Sequence, residues 1–247
     1  MNSYNPYSLN GKTVLVTGAS SGIGVGIAVE CSKMDANVII TGRNEERLGK
    51  TLSLMANEGR SISCDLTKDE DIERLTAELP ALDGIVFNAG IIKTVTIKHI
   101  SKQNIDDVFK TDILSSIQIV QKLLKSKKIN KGGSIVFISS IATSRARIGN
   151  SLYSAAKGGV NSFAKCLALE LANQRITVNC IQPGFVKSNM LVDGAISQAQ
   201  IDEFLKNYPL GMGDPKDIAM ACVYFLSDAA KWVTGSVLNV DGGGTLK

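Results

Sequence analysis

Short unbroken runs of apolar, mostly β-branched residues alternate along the chain with longer stretches whose apolar positions recur every three or four residues. KTVLVT (12–17), NVIIT (37–41), RSISC (60–64), DGIVFN (83–88), GSIVFIS (133–139), RITVNCI (175–181) and SVLNV (236–240) read as strands. They are continuous rather than alternating runs, as strands covered on both faces should be. Helices are predicted over 22–35, 45–58, 69–79, 102–125 and 151–173, with Gly49 weakening the second. Strand, helix, strand repeated in this way predicts an α/β fold, a doubly wound parallel sheet of about seven strands with helices on both faces. With no linker, repeat or low-complexity tract, residues 1–247 read as a single domain. Residues from about 186 to 214 break the rhythm with Gly194, Gly211, Gly213 and a mix of apolar residues around one short helical piece. Long excursions of this kind are usually lids or binding loops, so a substrate lid is expected there.

Composition narrows the function. Of 247 residues 44% are hydrophobic and 20% charged, ordinary globular values, and the net charge of +4 is too small and scattered to argue for nucleic acid. No apolar stretch approaches the ~20 residues that cross a membrane, and MNSYNPYSLNGK is not the start of a signal peptide. Five dispersed cysteines without a CxxC fit a reduced, cytoplasmic setting. The single histidine, His99, excludes multi-histidine metal sites, and no metal is expected.

The first strand runs into TGASSGIG, which spaces Gly18, Gly22 and Gly24 between a strand and a helix. Glycine permits the tight turn and a close backbone approach to a pyrophosphate, and the helix N-terminus offers free N–H groups to it. The turn is therefore a dinucleotide-site candidate, and the fold a Rossmann-type one. The same letters satisfy G-x-S-x-G through Gly18, Ser20 and Gly22, a hydrolase pattern that would need His99 and an acid such as Asp65 or Asp83. That elbow belongs well inside a sheet, not on its first strand. At the end of the second strand, ITGRNEER puts Gly42 where an acidic residue would hold the ribose hydroxyls of NAD, and Arg43 follows at once with Asn44 and Arg47 behind it. A guanidinium there suits the 2′-phosphate, so NADP(H) is favoured over NAD(H).

In LYSAAKGG, Tyr153 and Lys157 stand four residues apart on a predicted helix, one above the other. Taken alone, this is an ordinary amphipathic surface pair. Ser140, at the hydroxyl-rich end of IVFISSIATS, lies close enough in sequence for a loop to bring the pair past it. With TGASSGIG, CDLT, NAG (88–90), YSAAK, PGFVKS (183–188) and VTGSVLNVDGG (233–243), the sequence resembles the short-chain dehydrogenase/reductase family along essentially its whole length. The resemblance implies a nicotinamide-dependent carbonyl reductase or alcohol dehydrogenase. Tyr153 would be the general acid/base, Ser140 would hydrogen-bond the developing alkoxide, and Lys157 would favour the phenolate and bind the nicotinamide ribose. It also implies cofactor contacts at Gly18, Ser20, Ser21, Gly22, Ile23 and Gly24 of the turn and at Arg43 and Asn44. Further contacts are Asp65 near the adenine amine, its neighbour Leu66, and Asn88, Ala89 and Gly90 on the adenine-ribose side. Pro183, Gly184, Val186 and Ser188 match the segment along the carboxamide. In VFKTDILSS, Asp112 occupies the position where the family's catalytic set has an asparagine holding a relay water, which brings a charge into the site. Phe87 and the arginine-free PLGMGDP (209–215) are smaller departures.

The general resemblance is greatest to 3-oxoacyl-[acyl-carrier-protein] reductases, which implies an acyl-carrier-protein thioester as substrate and partner. Lys125, Lys127, Lys128 and Lys131 form either a basic rim for that acidic protein or a solvated turn. Arg145 and Arg147 after Ser140 are candidate receivers of a substrate carboxylate or phosphate, with Met190 as a lid contact. They keep a sugar, sugar-acid or polyol dehydrogenase open as the alternative. A non-catalytic NADP-binding sensor is the third reading. The resemblance also implies a homo-oligomer, tetramer or dimer, pairing 102–125 with 151–173 across one interface and the C-terminal strand and tail across another.

Overall fold

The computed structural model describes residues 4–187 and 198–246. Seven strands form one sheet: β1 (Thr13–Thr17), β2 (Asn37–Gly42), β3 (Arg60–Ser63), β4 (Leu82–Phe87), β5 (Ile129–Ile138), β6 (Thr177–Pro183) and β7 (Val237–Val240). Their order is β3-β2-β1-β4-β5-β6-β7, and every neighbouring pair is parallel. The order reverses beside β1, between β1 and β4, which opens a crevice at the C-terminal strand ends where such sheets hold ligands.

The continuous apolar runs divide by period two between two cores. Leu15, Ile85, Phe87, Ile135, Phe137, Val178 and Cys180 face one side and pack with α3 (Asp69–Glu78), α5 (Ser115–Lys125) and α6 (Ser151–Leu171). Val14, Val16, Val86, Val136, Ile138 and Ile181 face the other, with α1 (Gly22–Lys33), α2 (Glu45–Leu54) and a C-terminal helix, Pro215–Leu226. The central strands thus contribute to both layers, and a polar residue on either of their faces would lie in a core, whereas the edge strand β3 supplies only Ile62.

Helix ends depart from the expected boundaries for local reasons. The first helix stops at Lys33 because Asp35 takes φ +67°, and the second stops when Met55 turns to ψ 150°. The expected helix over 102–125 is α4 (Lys102–Phe109) and α5 joined by a π-helical turn, Lys110–Leu114. Such turns widen a helix by one residue and often mark functional positions. The short helix α7 (Gln198–Leu205) lies within the expected lid, while residues 188–197 of that stretch, including Ser188 and Met190, lie outside the described residues.

The last helix, α8 (Pro215–Leu226), starts where the sequence pattern places only the end of an irregular region. Its start signals are complete: Asp214 and Asp217 form a capping box and Pro215 occupies the first turn. It packs against α1 so closely that a Cβ on Gly26 would sit 2.9 Å from the Pro215 side chain. The segment between β6 and α8 is closed at its base, where Gly213 N–H donates to Phe185 O at 2.9 Å and Lys187 N–H to Gly213 O at 2.9 Å.

Candidate active site

The crevice is built from the strand ends inward. β1 hands over to Gly18 at φ +65°, where a Cβ would lie 2.7 Å from Ala89 Cα. At Gly24 a Cβ would overlap Gly18 O and approach Asn88 Nδ2 to 2.6 Å. Only glycine fits either place, so the turn lies flat against the NAG segment. Ser21 starts α1 without a side-chain cap, and no acidic residue stands in the first turn. The helix N–H groups and their partial positive charge remain open to an anion. The Asn88 amide braces this floor, donating to Thr17 O and Gly18 O at 3.1 Å each, while Thr17 Oγ1 accepts from the N–H groups of Asn88 (3.0 Å) and Ala89 (3.2 Å). Its side chain is thus engaged inside the protein. Ser20 lies against Gly42, where a Cβ would be 3.3 Å from Ser20 Oγ.

Past Gly42, Arg43 is exposed and has neither hydrogen bond nor ion pair. Asn44 caps α2 by accepting from Arg47 N–H at 2.8 Å. At the end of β3, Asp65 folds its carboxylate onto Thr67, from N–H at 3.1 Å and Oγ1 at 2.8 Å, and gives its own N–H to Asp71 Oδ2 at 2.7 Å. That donated N–H, with Arg74 adding to it, holds the Asp71 carboxyl below the ordinary range. Leu66 turns inward to the core.

The proposed chemistry lies between β4, β5, the π turn and α6. Tyr153 is half-buried and Lys157, one turn on, is 3% exposed, so the pair is not a surface pair. The Lys157 ammonium donates to Ile138 O at 3.0 Å and lies 5.7 Å from the centroid of the Tyr153 ring. The π turn presents Asp112, equally buried, to the same point. Its Oδ1 accepts from Ile91 N–H at 2.8 Å, while Oδ2 stands 3.4 Å from Lys157 Nζ and accepts no hydrogen bond. Burial drives the Asp112 carboxyl above its usual range; the Lys157 charge and the Ile91 N–H offset part of this. Gly90 makes the approach possible, because a Cβ there would lie 3.1 Å from both Asp112 Oδ2 and Lys157 Nζ.

Ser140 starts a short 3₁₀ turn (Ile141–Thr143), accepting from Ala142 N–H at 3.1 Å and leaving its own proton to donate outward. Behind it sits a polar cluster with no counterpart in the sequence expectations. Thr143 Oγ1 donates to Ser140 O at 3.1 Å and accepts from Gln182 Nε2 and from Asn161 Nδ2 at 3.4 Å. Asn161 continues the Tyr153–Lys157 stripe by one more turn, and that spacing was the only sequence signal for it.

Arg145 and Arg147 are brought to a cap formed by α7 and the residues just after it (198–208) rather than left free. The Arg145 guanidinium donates to Gly244 O at 2.7 Å and lies 5.8 Å over the Tyr208 ring; that of Arg147 lies 4.0 Å over Phe204. Phe185 packs on both of these rings, at 5.7 Å from Phe204 and 6.0 Å from Tyr208. Pro183 ends β6, and Gly184, whose N–H donates to Val240 O at 3.0 Å, leads to buried Val186. Of the lysine cluster, Lys128 donates to the carbonyls of Thr76 and Ala77, closing the end of α3. All five cysteines are free thiols, and no helix among the described residues is long and apolar enough to cross a membrane.

The chain is similar to known proteins over nearly its whole length. The family profile described as Enoyl-(Acyl carrier protein) reductase matches residues 18–245. The 3-oxoacyl-[acyl-carrier-protein] reductase FabG of Rickettsia felis is 35% identical over 237 residues, spanning 95% of this chain and 97% of the relative. FabG of Chlamydia muridarum is 36% identical over 242 residues, spanning 94% and 96%. A crystal structure from Agrobacterium tumefaciens, assigned as a 2-deoxy-d-gluconate 3-dehydrogenase and holding NADP, superposes with a TM-score of 0.90 at 32% identity, over 99% of this chain and all of that one. Similarity of this extent, on a seven-stranded parallel sheet with a glycine turn after its first strand, makes the chain an oxidoreductase belonging to the short-chain dehydrogenase/reductase family.

Proposed function

We propose that this protein is an NADP(H)-dependent carbonyl reductase acting on 3-oxoacyl thioesters carried by an acyl carrier protein. The observation that carries this reading is the buried Lys157 ammonium beneath Tyr153, at strand ends that also hold Ser140 and the glycine cradle. The cradle suits a dinucleotide, since Gly18 and Gly24 leave no side chain over the turn and the first turn of α1 keeps its N–H groups. The turn residues Gly18 to Gly24 and the N-terminus of α1 would hold the pyrophosphate, and Arg43 a 2′-phosphate. The bound nicotinamide would supply the hydride. Tyr153 then gives its proton to the carbonyl oxygen, Ser140 donates a hydrogen bond to the same oxygen, and Lys157 orients the ribose and stabilises the phenolate left behind.

A second reading, a sugar-acid dehydrogenase, is supported by the likeness to the Agrobacterium structure. It needs a cation for the substrate carboxylate. Arg147 has no hydrogen bond or ion pair, though its face is engaged on Phe204. The two readings separate in steady-state assays of NADPH oxidation with a 3-oxobutyryl thioester and with a panel of keto-sugar acids. Tyr153→Phe should lower the rate on the true substrate by about 10²–10⁴-fold while leaving NADPH binding intact. An unchanged rate removes Tyr153 from the mechanism, and NADPH binding without turnover of any carbonyl would favour the sensor.

We also infer assembly with a second copy of this chain. Trp232 is 100% exposed and Leu169 82% exposed, and β7 leaves one edge of the sheet unpaired. An exposed indole and an open sheet edge are surfaces that a second copy would cover.

A further inference from the structure

Asp112 brings to this site a negative charge whose effect can be followed by counting charges. A lysine beside a tyrosine favours the phenolate, since the ammonium stabilises the anion. Here that ammonium is already matched by a carboxylate at 3.4 Å, with both side chains buried. With the phenol intact, Tyr153, Lys157 and Asp112 sum to zero; with the phenolate they sum to one net negative charge. A neutral residue at 112 would make the same two states one net positive charge and zero. A buried cluster is held most cheaply when it is neutral. The charge at 112 therefore decides which proton state of Tyr153 the site prefers.

Building on Tyr153 as the proton donor, we propose that Asp112 is a positioning residue for the proton: by balancing Lys157 it keeps the proton on Tyr153 to higher pH, and so biases the site towards the protonated phenol that carbonyl reduction uses. Reduction moves the phenolic proton to the carbonyl oxygen as the carbonyl carbon takes up the hydride. Oxidation runs both transfers backwards and needs the phenolate to receive the hydroxyl proton. The same carboxylate thus moves the pH window of both directions upwards together and leaves the equilibrium between them unchanged.

Other titratable groups on the surrounding elements leave this balance in place. The remaining lining of the small cavity beside Asp112, which includes Thr17, Phe87, Ser115, Ser116, Phe137 and Val160, has no ionisable member. The hydroxyls of Ser115 and Ser116 donate to the carbonyls of Thr111 and Ile113. On β6, burial pushes the Cys180 thiol up to about 12, so it stays neutral. On α4, Asp106 is paired with Lys102 and Asp107 with Lys93. After β5, Ser140 does not titrate in this range, and Arg145 and Arg147 lie over cap aromatics. Among the described residues, only Lys157 stands at ion-pair distance from Asp112.

The test compares wild type with Asp112→Asn and with Asp112→Ser, two neutral residues of different size. Rates are measured against pH in both directions, with a 3-oxobutyryl thioester and NADPH and with the 3-hydroxybutyryl thioester and NADP⁺. Both variants should move the rising limb of oxidation and the alkaline fall of reduction to lower pH together, by about one pH unit. Ultraviolet phenolate absorbance supplies a readout without turnover: titrated with no nucleotide present, the difference between each protein and its Tyr153→Phe partner should move the same way. A purely structural role would scale both rates and leave the limbs where they are. Unmoved limbs and an unmoved absorbance titration would overturn the bias. If they stay put while Tyr153→Phe is inactive, only the bias fails. If Tyr153→Phe still reduces the thioester at the wild-type rate, the reading of Tyr153 fails as well.

Discussion

Replacing Arg43 with alanine removes a cation that no other described residue uses. The side chain is exposed and makes no hydrogen bond or ion pair, so stability should stay within about 0.5 kcal/mol of wild type. What disappears is the contact proposed for a 2′-phosphate. An exposed ion pair contributes up to ~1 kcal/mol, and a hydrogen bond to a charged group about 1.5–3 kcal/mol. Arg43 is solvent-facing but follows directly on a buried glycine at the strand end, so ~1.5 kcal/mol is a fair value, or about tenfold in Kd for NADPH and none for NADH. Nucleotide fluorescence titrations at ~0.1 M salt would read this as a tenfold fall in preference, and the fall should shrink at higher salt as screening grows. Gly42→Asp pushes the same way. Its Cβ would lie 3.3 Å from Ser20 Oγ, which asks a few tenths of an ångström of the serine, and its carboxylate would oppose the phosphate. The double variant should prefer NADH. If Arg43→Ala weakens both nucleotides equally, or neither, Arg43 does not distinguish them and the case for NADP(H) loses its basis in this sequence.

Thr143→Val should leave the amides of Gln182 and Asn161 without their shared acceptor and leave the Ser140 carbonyl with only the Thr143 N–H; a loss of about 1–3 kcal/mol in urea unfolding is expected, and no loss would remove the cluster as a support of the Ser140 turn. Asp112 makes stability depend on pH in a fixed sense. Its folded carboxyl titrates above the ordinary value, so its contribution is fully present below the unfolded value and is lost as pH rises through the folded one. Wild type should therefore lose ground against Asp112→Asn in urea midpoints as pH rises from about 4, and a gap that moves the other way would refute the direction. Trp232→Glu should lower the sedimenting mass if a second copy covers that face; an unchanged mass would show that Trp232 lies outside any such interface.

The sheet was legible because its central strands β1, β2, β4, β5 and β6 are buried on both sides, which leaves unbroken apolar runs that no amphipathic helix shows. The dinucleotide turn was legible because its chemistry is local: three glycines within seven residues do all the steric work. What escaped depends on distant parts meeting. The polar cluster behind Ser140 joins Thr143, Asn161 and Gln182 only when the ends of β5 and β6 and the middle of α6 converge. Arg145 and Arg147 read as free cations in sequence, yet their rings, Phe204 and Tyr208, come from the cap some sixty residues later. The helix α8 did carry its start signals in Asp214, Pro215 and Asp217. They were obscured by the glycines just before them, and by a face so fully buried on α1 that little polar alternation remains. The π turn has no sequence signature, so a continuous periodic stretch was the natural expectation. Asp112 stood out only as a departure from the family pattern, and its ion pair with Lys157 became a fact of distance only in the folded chain.

The closed base of the segment between β6 and α8 has a consequence for how such a protein can change. Phe185, Lys187 and Gly213 tie the outgoing and returning strands of chain together by two backbone hydrogen bonds, which any residues except proline at the donating positions can supply. Everything between them is an insert on a fixed frame. Because the ends are already held together, lengthening the insert costs little, about 0.6 kcal/mol for each doubling of a flexible loop. Residues 188–212 can therefore vary in length and sequence without disturbing that frame, while the glycine turn, Tyr153, Lys157 and Asp112 stay where they are. On the proposed reading of this stretch as a substrate lid, new specificities are expected from changes there alone.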